Sequence, residues 1–176
     1  TGWAMLITEE YRQLNTKLHE NPKYGSRRRE ALYAKIKELM DQTGSVTLLD
    51  YGCGKGEMAR HLPAHSYDPC VPEFSVRPTG TFDMVACCDV LEHIEPDLLT
   101  NVLIDIRNLA GRAVYLVIST RPASKTLADG RNAHLIVKPL EWWTEVLTQH
   151  FPFWQLTITN SDISQLTVLG TKNGSR

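Results

Sequence analysis

The chain has 176 residues, with 19 Lys and Arg set against 20 Asp and Glu, and 42% of its residues are hydrophobic. That length fits one domain able to bury a core without disulfide or metal staples, and the balanced charge excludes a global field drawing it to nucleic acid or an anionic membrane. Its four cysteines form no Cys-x-x-Cys pair and no apolar run reaches the length of a membrane span, so the reading is a soluble, cytoplasmic protein with free thiols.

In chain order, Tyr11, Leu14 and Leu18 have helical spacing over 8–19, with Thr8 as N-cap and Glu9 and Glu10 in the first turn. A break at 21–26 leads to a second helix over 27–40, carrying Leu32, Ile36, Leu39 and Met40 on one face. These two helices form a prefix over 1–44 to a core over 45–171 within a single domain. Tyr11, Asn15, His19 and Tyr24 of the prefix are candidates for a lid. The core alternates: strand 46–51, helix 57–62, strand 66–67, strand 83–88, helix 97–109, strand 113–119 and helix 141–150. That alternation predicts an α/β doubly wound, mostly parallel sheet. Two β-rich runs, 154–159 and 165–171, then predict an antiparallel hairpin. Trp142 and Trp143 share a predicted helix, where packing in the core outweighs base stacking.

The first strand ends in Leu48-Leu49-Asp50-Tyr51-Gly52-Cys53-Gly54-Lys55-Gly56, a buried strand turning around a ligand. Glycine admits backbone angles other residues resist and lets the main chain lie against a cofactor. The Asp-x-Gly-x-Gly-x-Gly spacing is neither the dinucleotide Gly-x-Gly-x-x-Gly nor a phosphate loop, which points away from NAD and ATP. Asp50 is placed to accept hydrogen bonds from a cationic or hydroxylated part of the ligand.

Together with Phe82-Asp83-Met84-Val85-Ala86-Cys87-Cys88-Asp89-Val90-Leu91-Glu92-His93-Ile94, this loop resembles the class I, Rossmann-like S-adenosylmethionine-dependent methyltransferases over most of the chain. The resemblance implies that the glycine loop passes under the methionine part of the cofactor and that Asp68, ending the second strand, holds the ribose hydroxyls. It gives as cofactor-binding residues Asp50, Tyr51, Gly52, Cys53, Gly54, Gly56, Asp68, Pro69, Cys88, Asp89 and Val90, with S-adenosylhomocysteine as product. One departure stands out. The stretch between Asp68 and Phe82 is too short for the family's usual helix-strand-helix insertion and contains Pro69, Pro72 and Pro78. The adenine pocket must be built differently, with Phe74 and Cys88 as candidate contacts.

Asp89, Glu92 and His93 follow a strand end, and His134 follows the next one. Loops at the carboxyl ends of neighbouring parallel strands converge on one crevice, which would bring these residues together. The block resembles the acid-x-x-Glu-His and distant His of the metal-dependent enzymes that methylate the terminal 2′-hydroxyl of small RNAs. It is similar as well to that of ubiquinone-pathway O-methyltransferases. Asp89, Glu92, His93 and His134 would then hold Mn²⁺, Fe²⁺, Zn²⁺ or, with waters, Mg²⁺. Without metal, His93 or His134 would act as general base beside Glu92, or Glu92 and His93 would only cap and pack.

The long polar connection 120–134 offers Arg121, Lys125, Arg131 and Asn132 as candidate substrate contacts. Arg27, Arg28 and Arg29 read as a solvated helix start or, less readily, a phosphate clamp. The Asn/Asp-Pro-Pro-aromatic motif of adenine-N6 and cytosine-N4 DNA enzymes and the Pro-Cys of cytosine-C5 enzymes are missing. The expected activity is methyl transfer to a hydroxyl oxygen of a polar small-molecule, sugar or nucleotide acceptor, metal-assisted with Mg²⁺ or Mn²⁺. The alternatives are an RNA or DNA modification enzyme, a non-catalytic cofactor-binding subunit, or an RNA-binding module; a partner protein would be one source of substrate recognition.

Overall fold

The computed structural model describes residues 4–24, 29–162 and 164–173. Helices α1 (Glu9–His19) and α2 (Glu30–Thr43) precede the strands β1 (Leu48–Tyr51), β2 (Ala64–Tyr67) and β3 (Phe82–Cys88). Then follow α3 (Leu99–Leu109), β4 (Ala110–Ser119), α4 (Leu140–His150), β5 (Trp154–Asp162) and β6 (Gln165–Lys172). One six-stranded sheet has the order β2-β1-β3-β4-β6-β5. Its first four strands are parallel, and the β5–β6 hairpin joins β4 antiparallel. This is the doubly wound sheet with a terminal hairpin that the alternation predicts.

Successive strand residues point to opposite faces, and the core divides accordingly. Leu49, Val85, Val114 and Leu116 pack with α3 and α4 on one face. Leu48, Met84, Ala113 and Tyr115 pack with Tyr33, Ile36 and Leu39 of α2 on the other. Trp143 is fully buried in the first layer, so it is a packing residue. Helix α2 stops where Gly44 takes a left-handed φ of 65° and the Ser45 amide donates to the Met40 carbonyl at 2.8 Å.

Two local expectations change. The helix predicted over 57–62 is a single 3₁₀ turn, Met58–Arg60. Gly56 is left-handed just before it and Pro63 follows Leu62, which leaves no room for a second turn. Residues 27 and 28 lie outside the described residues, and α2 starts at Glu30 after an Arg29 whose side chain caps nothing. Between β2 and β3, where the short proline-rich stretch argues against the family's insertion, there is a 3₁₀ turn, Pro72–Phe74, and no strand. This segment is held by Arg77, which pairs with buried Asp105 of α3.

Helix α1 belongs to neither core layer and lies over the carboxyl ends of the strands. The Tyr11 hydroxyl donates to the His93 carbonyl, and Thr16 Oγ1 donates to the Cys70 carbonyl at 3.0 Å. Thr8 caps the helix by accepting from the Tyr11 amide, and its hydroxyl also donates to Glu95 at 2.6 Å. The far end is tied by Lys55, whose Nζ donates to the carbonyls of Asn21 and Tyr24 at 2.7 and 2.6 Å.

Candidate active site

The turn after β1 uses three left-handed glycines, with φ of 81° at Gly52, 56° at Gly54 and 74° at Gly56. A Cβ on Gly52 would stand 2.3 Å from Val90 Cγ2, so the loop and the end of β3 are in direct contact. The Gly52 and Cys53 amides donate to the Tyr67 carbonyl at 2.7 and 3.1 Å. Asp68 locks the far side, where its carboxylate accepts from the Gly54 amide at 3.0 Å and the Cys70 amide at 2.9 Å.

Above this loop is a cavity of about 310 Å³, a volume in the range of small-molecule sites. Asp50, Tyr51, Gly52, Cys53, Gly54, Asp68, Pro69, Cys88, Asp89 and Val90 all border it, as does His93. Tyr11, Asn15, His19 and Tyr24 line it from the prefix, so the lid candidates stand at the cavity. Gly56 does not border it. Phe74 packs on Gly56, where a Cβ would meet the ring at 2.9 Å, and does not border the cavity. Leu6, Ile7, Ile94 and Val102 supply apolar wall that the sequence did not suggest.

Burial, with the charge of Asp68 second, pushes the Asp50 carboxyl up to about 7. Burial raises Asp68 too, against the pull of the two amides and His19. Burial pushes the Cys70 thiol up to about 12 and holds Cys53, Cys87 and Cys88 well above the ordinary thiol range. These protonated thiols are not nucleophiles.

Beside the cavity, Glu92, His93 and His134 each offer a ligand atom, all within 4.8 Å of one another. The 3₁₀ turn Leu91–His93 places the first two, and the loop after β4 places the third. Glu92 has no exposed surface, and neither carboxylate oxygen has a hydrogen-bond partner among the described residues. Burial and the charge of Asp89 push it up to about 8; the amide dipoles of Glu92 and Ser119 pull the other way without forming a hydrogen bond. Burial, then His134, lowers His93 to about 4, so its imidazole is neutral near pH 7. The two rings meet edge to face at 4.7 Å.

Both imidazoles are anchored through Nδ1. His93 Nδ1 is 2.9 Å from the Ala133 carbonyl, and His134 Nδ1 is 2.6 Å from that of Arg121. A carbonyl only accepts, so each Nδ1 carries a proton, and in a neutral ring the lone pair is then on Nε2. Asp89, expected with this group, is not in it. A left-handed φ of 57° at Asp89 turns the chain, and its carboxylate pairs with Arg29.

The four substrate candidates do not border the cavity among the described residues. Lys125 lies over the Tyr24 ring at 5.1 Å and Arg131 over the Tyr11 ring at 6.0 Å, which closes loop 120–134 onto the prefix. Arg131 also pairs with Asp129 at 2.7 Å. Arg121 contributes the carbonyl that holds His134, and the Asn132 carboxamide is bonded inside its own loop. Lys55 and Glu95, which secure α1, were not foreseen. A cation between two glycines was the one signal available for the first; the second gave none.

The sequence matches the family model described as "Methyltransferase domain" over residues 23–159. No curated protein matches. Among solved structures, the S-adenosylhomocysteine complex of DhpI is similar with a TM-score of 0.62 and 19% identity, covering 94% of each chain. A methyltransferase from Clostridium acetobutylicum ATCC 824, described as S-adenosylmethionine-dependent, has a TM-score of 0.63 at 14% identity, covering 91% of this chain and 99% of that one. The 1,6-didemethyltoxoflavin-N1-methyltransferase of Burkholderia thailandensis, with 1,6-didemethyltoxoflavin and S-adenosylhomocysteine bound, has a TM-score of 0.61 at 14% identity, covering 98% and 93%. With its glycine loop, strand-end acids and six-stranded sheet, the chain belongs to the methyltransferase domain family, and its fold is that of the class I S-adenosylmethionine-dependent methyltransferases.

Proposed function

We propose that the protein moves the methyl group of S-adenosylmethionine to a hydroxyl oxygen of a polar small-molecule acceptor, assisted by a divalent cation held by Glu92, His93 and His134. One observation carries the reading: a fully buried carboxylate with no hydrogen-bond partner among the described residues stands beside two imidazoles whose Nδ1 atoms are both committed to main-chain carbonyls. A buried, unpartnered carboxylate is costly unless a cation or a proton compensates it. One oxygen and two nitrogen donors suit Mn²⁺ better than Mg²⁺, which prefers oxygen. A small acceptor agrees with the small molecule bound to the Burkholderia thailandensis enzyme.

Such a cation, when bound, supplies Lewis acidity that lowers the pKa of an acceptor hydroxyl. The chain's own residues do the rest. Asp50 and Asp68 hold the cofactor over the glycine loop, and α1 excludes water above it. His93 Nε2 has one lone pair and serves either as cation ligand or as base. With a cation bound the acidified hydroxyl proton would pass to solvent, and with none the neutral imidazole accepts it at Nε2, as the acceptor oxygen bonds to the methyl carbon. The carbon–sulfur bond breaks, its electron pair stays on sulfur, and the positive sulfonium becomes the neutral thioether of S-adenosylhomocysteine. Attack on a sulfonium carbon needs alignment above all, so fixed Nδ1 anchors are the form of catalysis expected here.

The test is a calorimetric titration of Mn²⁺ into protein saturated with S-adenosylhomocysteine, with Glu92→Gln and His134→Ala alongside. One equivalent bound by the wild type and lost in both variants is the expected result. Cofactor binding without Mn²⁺ binding in the wild type would overturn the cation and leave His93 as a metal-free general base. That base would contribute around 10²- to 10⁴-fold in rate.

A further inference from the structure

Asn132 reads from sequence as a substrate contact, yet its carboxamide is committed elsewhere. Oδ1 accepts from the Ala123 amide and from the His134 amide, each at 2.9 Å, and Nδ2 donates to the Ala123 carbonyl at 2.9 Å. Both acceptor positions of the oxygen and one of the two donors are thereby used, which leaves one N–H for any other partner. We propose that Asn132 is a positioning residue that sets the ring of His134, and this rests on the reading of Glu92, His93 and His134 given above.

The connection 120–134 is a folded-back loop whose two arms are stitched by main-chain bonds. The Leu127 amide donates to the Arg131 carbonyl at 2.8 Å, the Ala133 amide donates to Lys125 at 3.0 Å, and Thr126 bridges Asn132. Gly130, left-handed with φ 89°, turns the tip. Past these rungs, toward the site, no further main-chain bond between the arms is recorded among the described residues, and the Asn132 side chain continues the stitching there.

His134 depends on that side chain twice. Its own amide is held by Oδ1, and its Nδ1 proton goes to the Arg121 carbonyl, two residues before the Ala123 that the carboxamide grips from both sides. One carboxamide therefore fixes both the backbone from which the imidazole projects and the carbonyl that selects its tautomer. Groups that orient a ligating histidine through its second nitrogen typically change metal affinity 10- to 100-fold when lost. The His93 anchor, Ala133 O, is on the neighbouring rung and is held by main chain, so it does not need Asn132.

The experiment compares wild type, Asn132→Ala and Asn132→Asp, each saturated with S-adenosylhomocysteine. Nitrogen-15 NMR reads the His134 tautomer, and calorimetry reads Mn²⁺ and cofactor affinity. The expected result is an Nδ1–H tautomer in the wild type and an averaged one in Asn132→Ala. That variant should bind Mn²⁺ 10- to 100-fold more weakly, with cofactor affinity changed less than twofold. Asn132→Asp keeps both accepted bonds and should keep the Nδ1–H tautomer, which also decides the matter should the alanine variant fail to fold. An unchanged His134 tautomer in Asn132→Ala, or a lost one in a folded Asn132→Asp, would overturn the proposal. If the wild type binds no Mn²⁺, the cation reading fails by itself and the tautomer alone decides the role of Asn132.

Discussion

The Tyr11 hydroxyl donates a hydrogen bond to the main-chain oxygen of His93, joining α1 to the turn that carries Glu92 and His93. Tyr11 is almost fully buried, and that burial holds its phenol well above the ordinary range, so it remains a donor. Tyr11→Phe keeps the ring beneath Arg131 and removes the hydroxyl that makes this bond. A buried carbonyl deprived of its donor costs about 1–3 kcal/mol. Denaturant unfolding of the cofactor-bound variant should show that loss, with several-fold weaker S-adenosylhomocysteine binding as α1 loosens. Unchanged stability and affinity would mean that Thr16, Lys55 and Glu95 hold the helix without help from Tyr11.

Asp50 gives the free protein a pH dependence whose sign is fixed by burial. Its carboxyl is raised from 3.8 to about 7, so between these values the folded state keeps a proton that the unfolded state has released. Its contribution to stability is full below pH 4 and is lost as pH rises through 7, on the order of 4 kcal/mol at most. His93, lowered to about 4, has the opposite sign and loses its contribution as pH falls below 6.5. Comparison with Asp50→Asn largely cancels that second effect. The unfolding free energy of wild type minus variant, measured without cofactor, should fall between pH 4 and 7 and then level off. A flat difference would show that Asp50 is not buried as a neutral acid.

What was legible in the sequence was what local pattern controls. The Leu48–Leu49 and Met84–Val85 pairs alternate between two core layers, and alternating strands and helices lead to the observed sheet. Three glycines after Asp50 gave the left-handed turn beneath the cavity, and Glu92, His93 and His134 converge as parallel strand ends require. Asp89 was misplaced because a left-handed residue is not written in a Cys-Asp-Val-Leu string, and only the fold shows Arg29 within reach. Phe74 stands away from the cavity for a related reason. Where a shortened segment lies is decided by distant tethers such as Arg77–Asp105, which spacing along the chain does not encode. The polar side chains of loop 120–134 looked free because their partners are each other, α1, and main-chain groups.

Gly52 and Val90 should be energetically coupled. At Gly52 a φ of 81° strains any residue with a Cβ, and the added carbon would overlap Val90 Cγ2 at 2.3 Å and Cγ1 at 2.9 Å. Gly52→Ala therefore carries two costs, backbone strain of about 1–2 kcal/mol and a steric clash, while Val90→Ala alone loses only partly buried apolar contact. Combining them removes the clash but not the strain. The double variant should be less destabilised than the sum of the single ones, with a coupling of about 0.5–3 kcal/mol. Cofactor binding should remain impaired in it, because the glycine main chain that borders the cavity is still forced out of shape. Additive losses would mean that the loop moves away from Val90 freely, and the close approach of β1 and β3 ends would then not be what shapes the cofactor site.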